Sequence, residues 1–446
     1  MNLFDVLTVA RYLLRTRLAL RFSSRQALLD WQAKQIERFL AQTLPKAAFY
    51  RPFAGQPLSA LPVMDKAGML QHFQGMNTAG ISLDQASQVA LAAEQSRDFS
   101  PRIGRYSVGL SSGTQGPQGV FLVADQERAM WAGIMLARTL SGGLLCRLLR
   151  PFGPKIRVAF FLRANSNLYQ TLKSRRIDFR FYDLFAGVEP HLQSLQQQSP
   201  DVLVAPARVL AWIADQVAAG RLQIKPVRVI SVAEVLEPDD ALRIAQAFKQ
   251  PVHQLYQCTE GFLGYTCEQG VLHLNEEYVH VEPEWLDEAH TRFTPIVTDF
   301  TRKTQLIVRQ RLNDVLRVRS APCTCGRHGQ ALESIEGRAD DVLWFRQQGS
   351  DTPMPLFPDI VRHALLRDAI PVDYRIAQQG DVLEIAVADQ SLATFDAVQH
   401  SLGALARRHG LQLPECRSVP FASPGWETKR RRIVCLARCP QPALQA

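Results

Sequence analysis

Apolar residues recur at helical spacing through the first hundred residues, most clearly in "RQALLDWQAKQIERFLAQTL" (25–44), and "LPVMDKAGMLQHF" (61–73) reads as a turn and a further helix. From about residue 105 the pattern changes. Short runs rich in branched and aromatic residues, "YSVGLSS" (106–112), "IRVAFFL" (156–162), "DVLVA" (201–205) and "VRVISVAE" (227–234), read as strands. Between them stand amphipathic stretches such as "ADQERAMWAGIMLARTL" (124–140) and "PDDALRIAQAF" (238–248). Alternation of this kind predicts a mostly parallel sheet covered by helices. Past "PVHQLYQCTEG" (251–261) the runs "RFTPIVTDF" and "TQLIVRQRLNDVLRV" look antiparallel, and "GRADDVLWF" (337–345) looks like a boundary. Two strands and two helices follow, then a basic finish. The predicted class is α/β: a large N-terminal domain over 1–339, with a mainly helical lead-in (1–100) and an antiparallel β subdomain, then a small α+β domain over 340–446.

Composition changes this picture little. The 446 residues are 46% hydrophobic and 21% charged, too long for one core and without a low-complexity tract, so two or three domains are expected. No apolar run approaches the roughly 18 residues of a membrane span. The opening "MNLFDVLTVARYLLRTRLALRF" is interrupted by Asp5, Arg11, Arg15 and Arg17 and reads as an N-terminal helix rather than an export signal. Attachment of this basic segment to a membrane surface is the second reading. Eight cysteines are too sparse for a disulfide scaffold, which points to the cytoplasm. The net charge of +9 is scattered except for "TKRRR" (428–432), with no basic–aromatic face, so nucleic acid is not an expected partner. A basic excess also suits anionic small molecules or an acidic carrier protein.

"GLSSGTQGPQGVF" (109–121) places glycines and hydroxyls between an apparent strand and an apparent helix. Such a loop can turn backbone N–H groups and hydroxyls toward phosphate oxygens, although it is not a Walker loop and a plain surface turn reads equally well. "YQCTEG" (256–261), "RQRLND" (309–314), "GRADD" (337–341) and "TKRRR" follow in order. Singly, Tyr256 reads as a core aromatic, Glu260 as a helix-start carboxylate, Asp314 as a turn residue and "TKRRR" as a solvated face.

Taken together, and with "LPVMDKAGML" upstream, the ordered set resembles the adenylate-forming enzymes, in particular the branch of phenylacetate–coenzyme A ligases and deazaflavin-coenzyme synthetases. The resemblance implies that Ser111, Ser112, Gly113, Thr114 and Gly116 hold the β- and γ-phosphates of ATP. It implies that Tyr256 stacks on adenine, that Thr259 and Glu260 lie by the α-phosphate and magnesium, and that Asp314 binds the ribose. Arg338 would lie near the nucleotide and Asp340 in a hinge. Ala233 and Glu234 would flank the acyl and adenine sites, and Lys429 would be the mobile lysine of adenylation. The implied activity is ATP-dependent activation of a carboxylic acid, aromatic by the surrounding residues, followed by transfer to coenzyme A or a carrier protein. Transfer of AMP to a hydroxyl and a non-catalytic nucleotide binder are the alternatives, and a homodimer is allowed. Three departures stand out: Pro117 and Gln118 where relatives carry a lysine, Gln257 for a glycine after the tyrosine, and Thr428 for a glycine before the lysine.

Two further expectations concern metal and acid. Cys267, His273, Cys323 and Cys325 make a three-thiolate, one-imidazole set suited to structural zinc, and the resembling branch has a similar "CxCGR" segment with a zinc; packed thiols and a surface histidine are the alternative. Phe161, Asn165, Tyr169, Phe262 and Leu263 are acid-pocket candidates, and Cys258 reads as packed.

Overall fold

The computed structural model describes residues 3–96, 98, 101–110, 119–150, 152–163, 174–350, 352–368, 370 and 373–437. They divide into two compact units, Met1–Leu312 with Arg317–Ser334, and Asn313–Leu316 with Ile335–Ala446.

In the first unit the alternating segment folds as expected. Strands Ile177–Asp183, Ile156–Leu162, Val202–Ala205, Arg228–Ser231 and His253–Cys258 lie side by side in that order, every neighbouring pair parallel. Their runs of branched residues suit strands covered on both faces. Helices Asp125–Thr139, Gly142–Leu149 and Ala207–Ala218 come from the amphipathic stretches. The N-terminal helix Leu3–Leu14 packs on Asp125–Thr139 at Gly133, where a Cβ would lie 2.5 Å from the Val9 carbonyl oxygen and 2.9 Å from Tyr12 Cβ. Glycine there is a condition of the helix–helix approach.

After Cys258 the chain reverses in a two-residue turn, and Gly261–Thr266 returns antiparallel to His253–Cys258. Leu272–Leu274 follows antiparallel, and Arg292–Asp299 pairs with His280–Trp285 and with Ile307–Arg311.

One expectation is corrected. The glycine-rich loop does not join a strand to a helix. Tyr106–Leu110 and Val120–Ala124 pair antiparallel, Leu110 opposite Val120, so the loop closes a hairpin and the helix starts only at Asp125. The physical reason is the run "VFLVA", which is β-branched and aromatic and completes a small sheet before Asp125 can begin a helix. The loop therefore does not open directly onto a helix N-terminus.

The second unit has its own core. Strands Glu415–Ser418, Val382–Val387, Tyr374–Gln379 and Ile433–Cys435 form a four-stranded sheet in that order, with helices Pro358–Arg367 and Leu392–Arg408 supplying apolar residues to the same cluster. The outer strands, Glu415–Ser418 and Ile433–Cys435, lie within what reads from sequence as a featureless basic finish.

Candidate active site

The Tyr256–Glu260 segment is shaped by an irregularity in its hairpin. The pairing shifts between Tyr256, opposite Gly264, and Gln257, opposite Phe262. Such a bulge re-aims side chains at the end of a strand. Tyr256 is buried, and a Cβ on Gly264 would lie 2.9 Å from the His273 carbonyl oxygen and 3.3 Å from Tyr256 Cβ. Beyond the bulge Thr259 and Glu260 occupy the turn, half-buried, and the Thr259 hydroxyl donates to Glu260 Oε2 at 2.8 Å.

The turn is fastened from behind by residues that the sequence gives no reason to select. Arg302 Nη2 donates to the Thr259 carbonyl at 2.8 Å and Nη1 to the Leu122 carbonyl at 3.5 Å, while Nε lies 3.6 Å from Asp299. One guanidinium thus ties the Thr259–Glu260 turn to a strand of the hairpin that closes in the glycine-rich loop. Burial pushes the Asp299 carboxyl above the usual carboxylate range, opposed by Arg302 and by hydrogen bonds from Thr301. Glu127 extends the knot: its carboxylate accepts from the Ala124, Lys303 and Thr304 backbone N–H groups and from the Thr304 hydroxyl. Gln305 then accepts from the Leu122 N–H and donates to the Val120 carbonyl. No local pattern in "TDFTRKTQ" signals this: Asp299 and Thr301 are close in sequence to Arg302, but Thr259, Leu122 and Glu127 lie more than forty residues from the groups they meet.

Ala233 has a left-handed backbone (φ 66°), which is strained for a non-glycine residue and clusters at functional sites. Its neighbour Glu234 accepts from the Arg208 N–H at 3.2 Å, at the start of helix Ala207–Ala218, whose Pro206 cap has no side chain to offer. A carboxylate there complements the helix dipole. Ser111, Ser112, Gly113, Thr114 and Gly116, and the pocket candidates Asn165 and Tyr169, lie outside the described residues.

Asp314, Arg338 and Lys429 belong to the second unit. Asp314 starts its strand, and the Arg338 N–H donates to Asp341 Oδ2 at 3.2 Å. Asn313 Nδ2 donates to Asp340 at 2.9 Å. Lys429 follows a turn closed by the Thr428 N–H on the Gly425 carbonyl. The arginines beside it are engaged: Arg431 pairs with Asp341, Arg432 donates to Asp373 at 2.7 Å and stacks on Tyr374, and Arg430 lies 4.0 Å from Asp373. "TKRRR" is thus a structural clamp within this unit rather than a solvated face.

The Cys/His set does come together. Cys267 follows directly on strand Gly261–Thr266, His273 sits in the next strand, and Cys323 and Cys325 lie on a loop beside them. Their four ligand atoms all lie within 4.8 Å of one another. Cys267 and Cys323 sulfurs are 3.7 Å apart, close to the ~3.8 Å that a tetrahedron of ~2.3 Å zinc–sulfur bonds requires. His273 Nδ1 is 3.0 Å from the Gly329 carbonyl oxygen, which leaves Nε2, 3.5 Å from Cys325 Sγ, directed into the group. Burial lowers the His273 pKa and favours the neutral imidazole that a metal needs.

A cavity lies on one face of the parallel strands, beneath helix Asp125–Thr139, with Ala233 and Gln257 in its lining. Of the pocket candidates, Phe161 is on the other face of the sheet, stacked on Tyr182 with centroids 4.5 Å apart. Phe262 belongs to the cluster of Met135 and Tyr265, and Leu263 is fully buried. None of the three lines the cavity.

No family model matches the sequence, and no curated protein does. Solved structures do. A 2-hydroxyisobutyryl-CoA ligase in the postadenylation state with R3-HIB-AMP aligns with a TM-score of 0.61 at 15% identity, covering 92% of this chain and 89% of that one. The same ligase with 2-HIB-AMP gives 0.59 at 16% identity over the same shares. Its open conformation with 2-HIB-AMP and CoA gives 0.51 at 15%, over 92% and 91%. The chain therefore has the fold of 2-hydroxyisobutyryl-CoA ligase, the α/β architecture that the adenylate-forming resemblance implies.

Proposed function

We propose that this protein is an ATP-dependent acid–thiol ligase that activates a carboxylic acid as its acyl-adenylate. The observation that carries the reading is the Thr259–Glu260 turn, oriented by the Tyr256 bulge and knotted through Arg302 to the hairpin of the glycine-rich loop. That arrangement supports the reading because it links a carboxylate and a hydroxyl to strand Val120–Ala124, which in sequence directly follows the glycine- and hydroxyl-rich run.

In the reaction a carboxylate oxygen attacks the α-phosphorus of ATP, the bond to the bridging oxygen of the β-phosphate breaks, and pyrophosphate leaves. A thiolate of coenzyme A or of a carrier protein then attacks the acyl carbon and AMP departs, its phosphate keeping the electron pair. Ser111, Ser112, Gly113, Thr114 and Gly116 would hold the pyrophosphate oxygens, Tyr256 the adenine, Asp314 the ribose and Arg338 the nucleotide. Lys429 would place a cation against the acid and α-phosphate. Glu260 would hold magnesium, a hard cation suited to carboxylate and phosphate oxygens, which neutralises the developing charge. Lys429 on a small C-terminal domain would allow the site to be rebuilt between the two half-reactions. Cys267, His273, Cys323 and Cys325 would hold a structural zinc in a closed site without an open position for substrate.

Pyrophosphate exchange and hydroxamate formation across an acid panel, with and without coenzyme A, test the proposal. Acid-dependent exchange and coenzyme A-dependent AMP release are expected. Exchange that responds only to a hydroxyl acceptor, or ATP binding without any exchange, would sink it.

A further inference from the structure

The cavity beneath helix Asp125–Thr139 has an empty volume of about 840 Å³, counted out to its open mouth. Its floor repeats at period two on all five parallel strands, for example at Val158 and Phe160, Phe179, Val204 and Leu255. Val158, Phe160, Phe179 and Val204 in this floor keep 6–9% of their surface, while Ile156, Ile177, Val202 and Ile230 in the same floor keep 0–3%. The opposite face of these strands is mixed, with Arg157, Asp178 and Arg180 beside Ala159, Phe161 and Leu203.

The lining is graded in polarity. Among the described residues of the lining, the polar side-chain groups are those of Thr139 and Gln257 and the indole N–H of Trp131. The Thr139 hydroxyl donates to the Met135 carbonyl of its own helix at 2.8 Å, which leaves its methyl as the neutral contribution to the wall. Gln257 stands near the end of the strand that runs into Thr259 and Glu260, and Ala233 lies two residues past the end of the neighbouring strand Arg228–Ser231. Ligands in open parallel sheets bind at these carboxyl ends of strands. The remaining lining carries no Lys, Arg, Asp or Glu.

On the adenylation reading above, we propose that this cavity holds the acyl chain of an unsubstituted aliphatic acid of roughly six to twelve carbons, with its carboxylate at the Gln257 end. The class follows from what the walls can satisfy. Among the described lining residues a buried ammonium would meet no Asp or Glu and a second carboxylate no Lys or Arg, at a cost of several kcal/mol. The length follows from the span: five strands at about 4.8 Å spacing cover about 19 Å, and an extended chain advances about 1.2 Å per bond, so a dozen carbons fit with room to spare. The floor and helix wall are mostly branched aliphatic side chains, with Trp131, Phe160 and Phe179 among them. Gln257, a departure from the expected glycine, thereby acquires a role as the polar group at the mouth.

The experiment uses the full-length chain and two filling variants, Val204→Phe in the floor and Leu136→Phe in the helix wall. Calorimetric titration with octanoate and decanoate without ATP reads the cavity alone. Pyrophosphate exchange with C2–C14 acids, benzoate, phenylacetate and adipate reads it in the reaction. The wild type should bind decanoate with a negative heat-capacity change and peak in exchange between six and twelve carbons. The variants should lose at least tenfold in decanoate affinity and peak at shorter acids with the KM for ATP unchanged, while melting no lower than wild type. An unchanged profile in a folded variant, or a tenfold preference for adipate or an aryl acid, overturns the proposal. Decanoate binding that Val204→Phe removes, without exchange on any acid, leaves the cavity assignment standing and removes adenylation. Exchange that ignores both variants does the reverse. If Val204→Phe does not fold, Leu136→Phe is judged by the same criteria.

Discussion

The strand Gly261–Thr266 has two ends held by opposite means. At one end the Thr259–Glu260 turn is held by long-range hydrogen bonds to Arg302, with Asp299 buried behind it. At the other, about 20 Å away along six residues, Cys267 enters a group of soft ligands suited to a metal. The difference is chemical. On the proposed reading the turn presents a carboxylate and a hydroxyl to a ligand, and its support comes instead from the backbone carbonyl of Thr259. An end that presents nothing can use every side chain for attachment.

Four experiments break or sharpen this contrast. The largest effect is expected at the turn itself: Glu260→Gln should lower acid-dependent pyrophosphate exchange on the order of a hundredfold or more and leave the melting temperature within a degree or two. A rate within a factor of two of wild type would take Glu260 out of the site. At the far end, Cys325→Ser should behave in the opposite way, losing bound zinc and several kcal/mol of stability, read as a melting point roughly 5–10 °C lower. Full zinc occupancy in that variant would reject the ligand set.

Arg302→Ala removes the support without touching the turn's own side chains. We expect a loss of about tenfold in kcat, with a modest change in melting point and partial rescue by Lys, which can serve one carbonyl but not two. Full rescue by Lys would show that charge and bulk suffice and that the two-carbonyl fork is not needed. The smallest effect concerns His253, on the strand that leads to Tyr256. Burial, reinforced by Arg228, lowers its pKa to about 4, with Glu268 opposing. Between pH about 6.5 and about 4 the unfolded chain therefore binds a proton that the folded chain does not, and stability falls as pH falls, by up to about 3 kcal/mol. Thermal melts from pH 7.5 to 4.5 should show a shallower decline in His253→Gln; parallel curves would contradict the assignment.

Much of this was legible along the chain. The alternating runs produced the parallel strands and their helices, since a strand covered on both faces must be apolar throughout and its covering helix must be amphipathic. The hairpin of the glycine-rich loop was read as strand–loop–helix because "VFLVA" and "ADQERAM" adjoin without a break, and nothing local says where one period yields to the other. The strands at 415–418 and 433–435 escaped notice for a related reason: three or four residues carry too little periodicity, and their pairing partners lie more than thirty residues away. "TKRRR" taken singly reads as a solvated face because Asp341 and Asp373 are fifty or more residues upstream.

The sequence by itself determined the alternation that makes the α/β layers, the residue types of the turn and the thiol–imidazole set, because these rest on local period and on side-chain chemistry. Only the tertiary structure decided that Arg302 supports Thr259, that four metal-binding side chains spread over fifty-nine residues meet within 4.8 Å, and that one face of the sheet keeps a cavity. Each of these depends on which distant segments pack together, and no local pattern of apolar and polar residues encodes that choice.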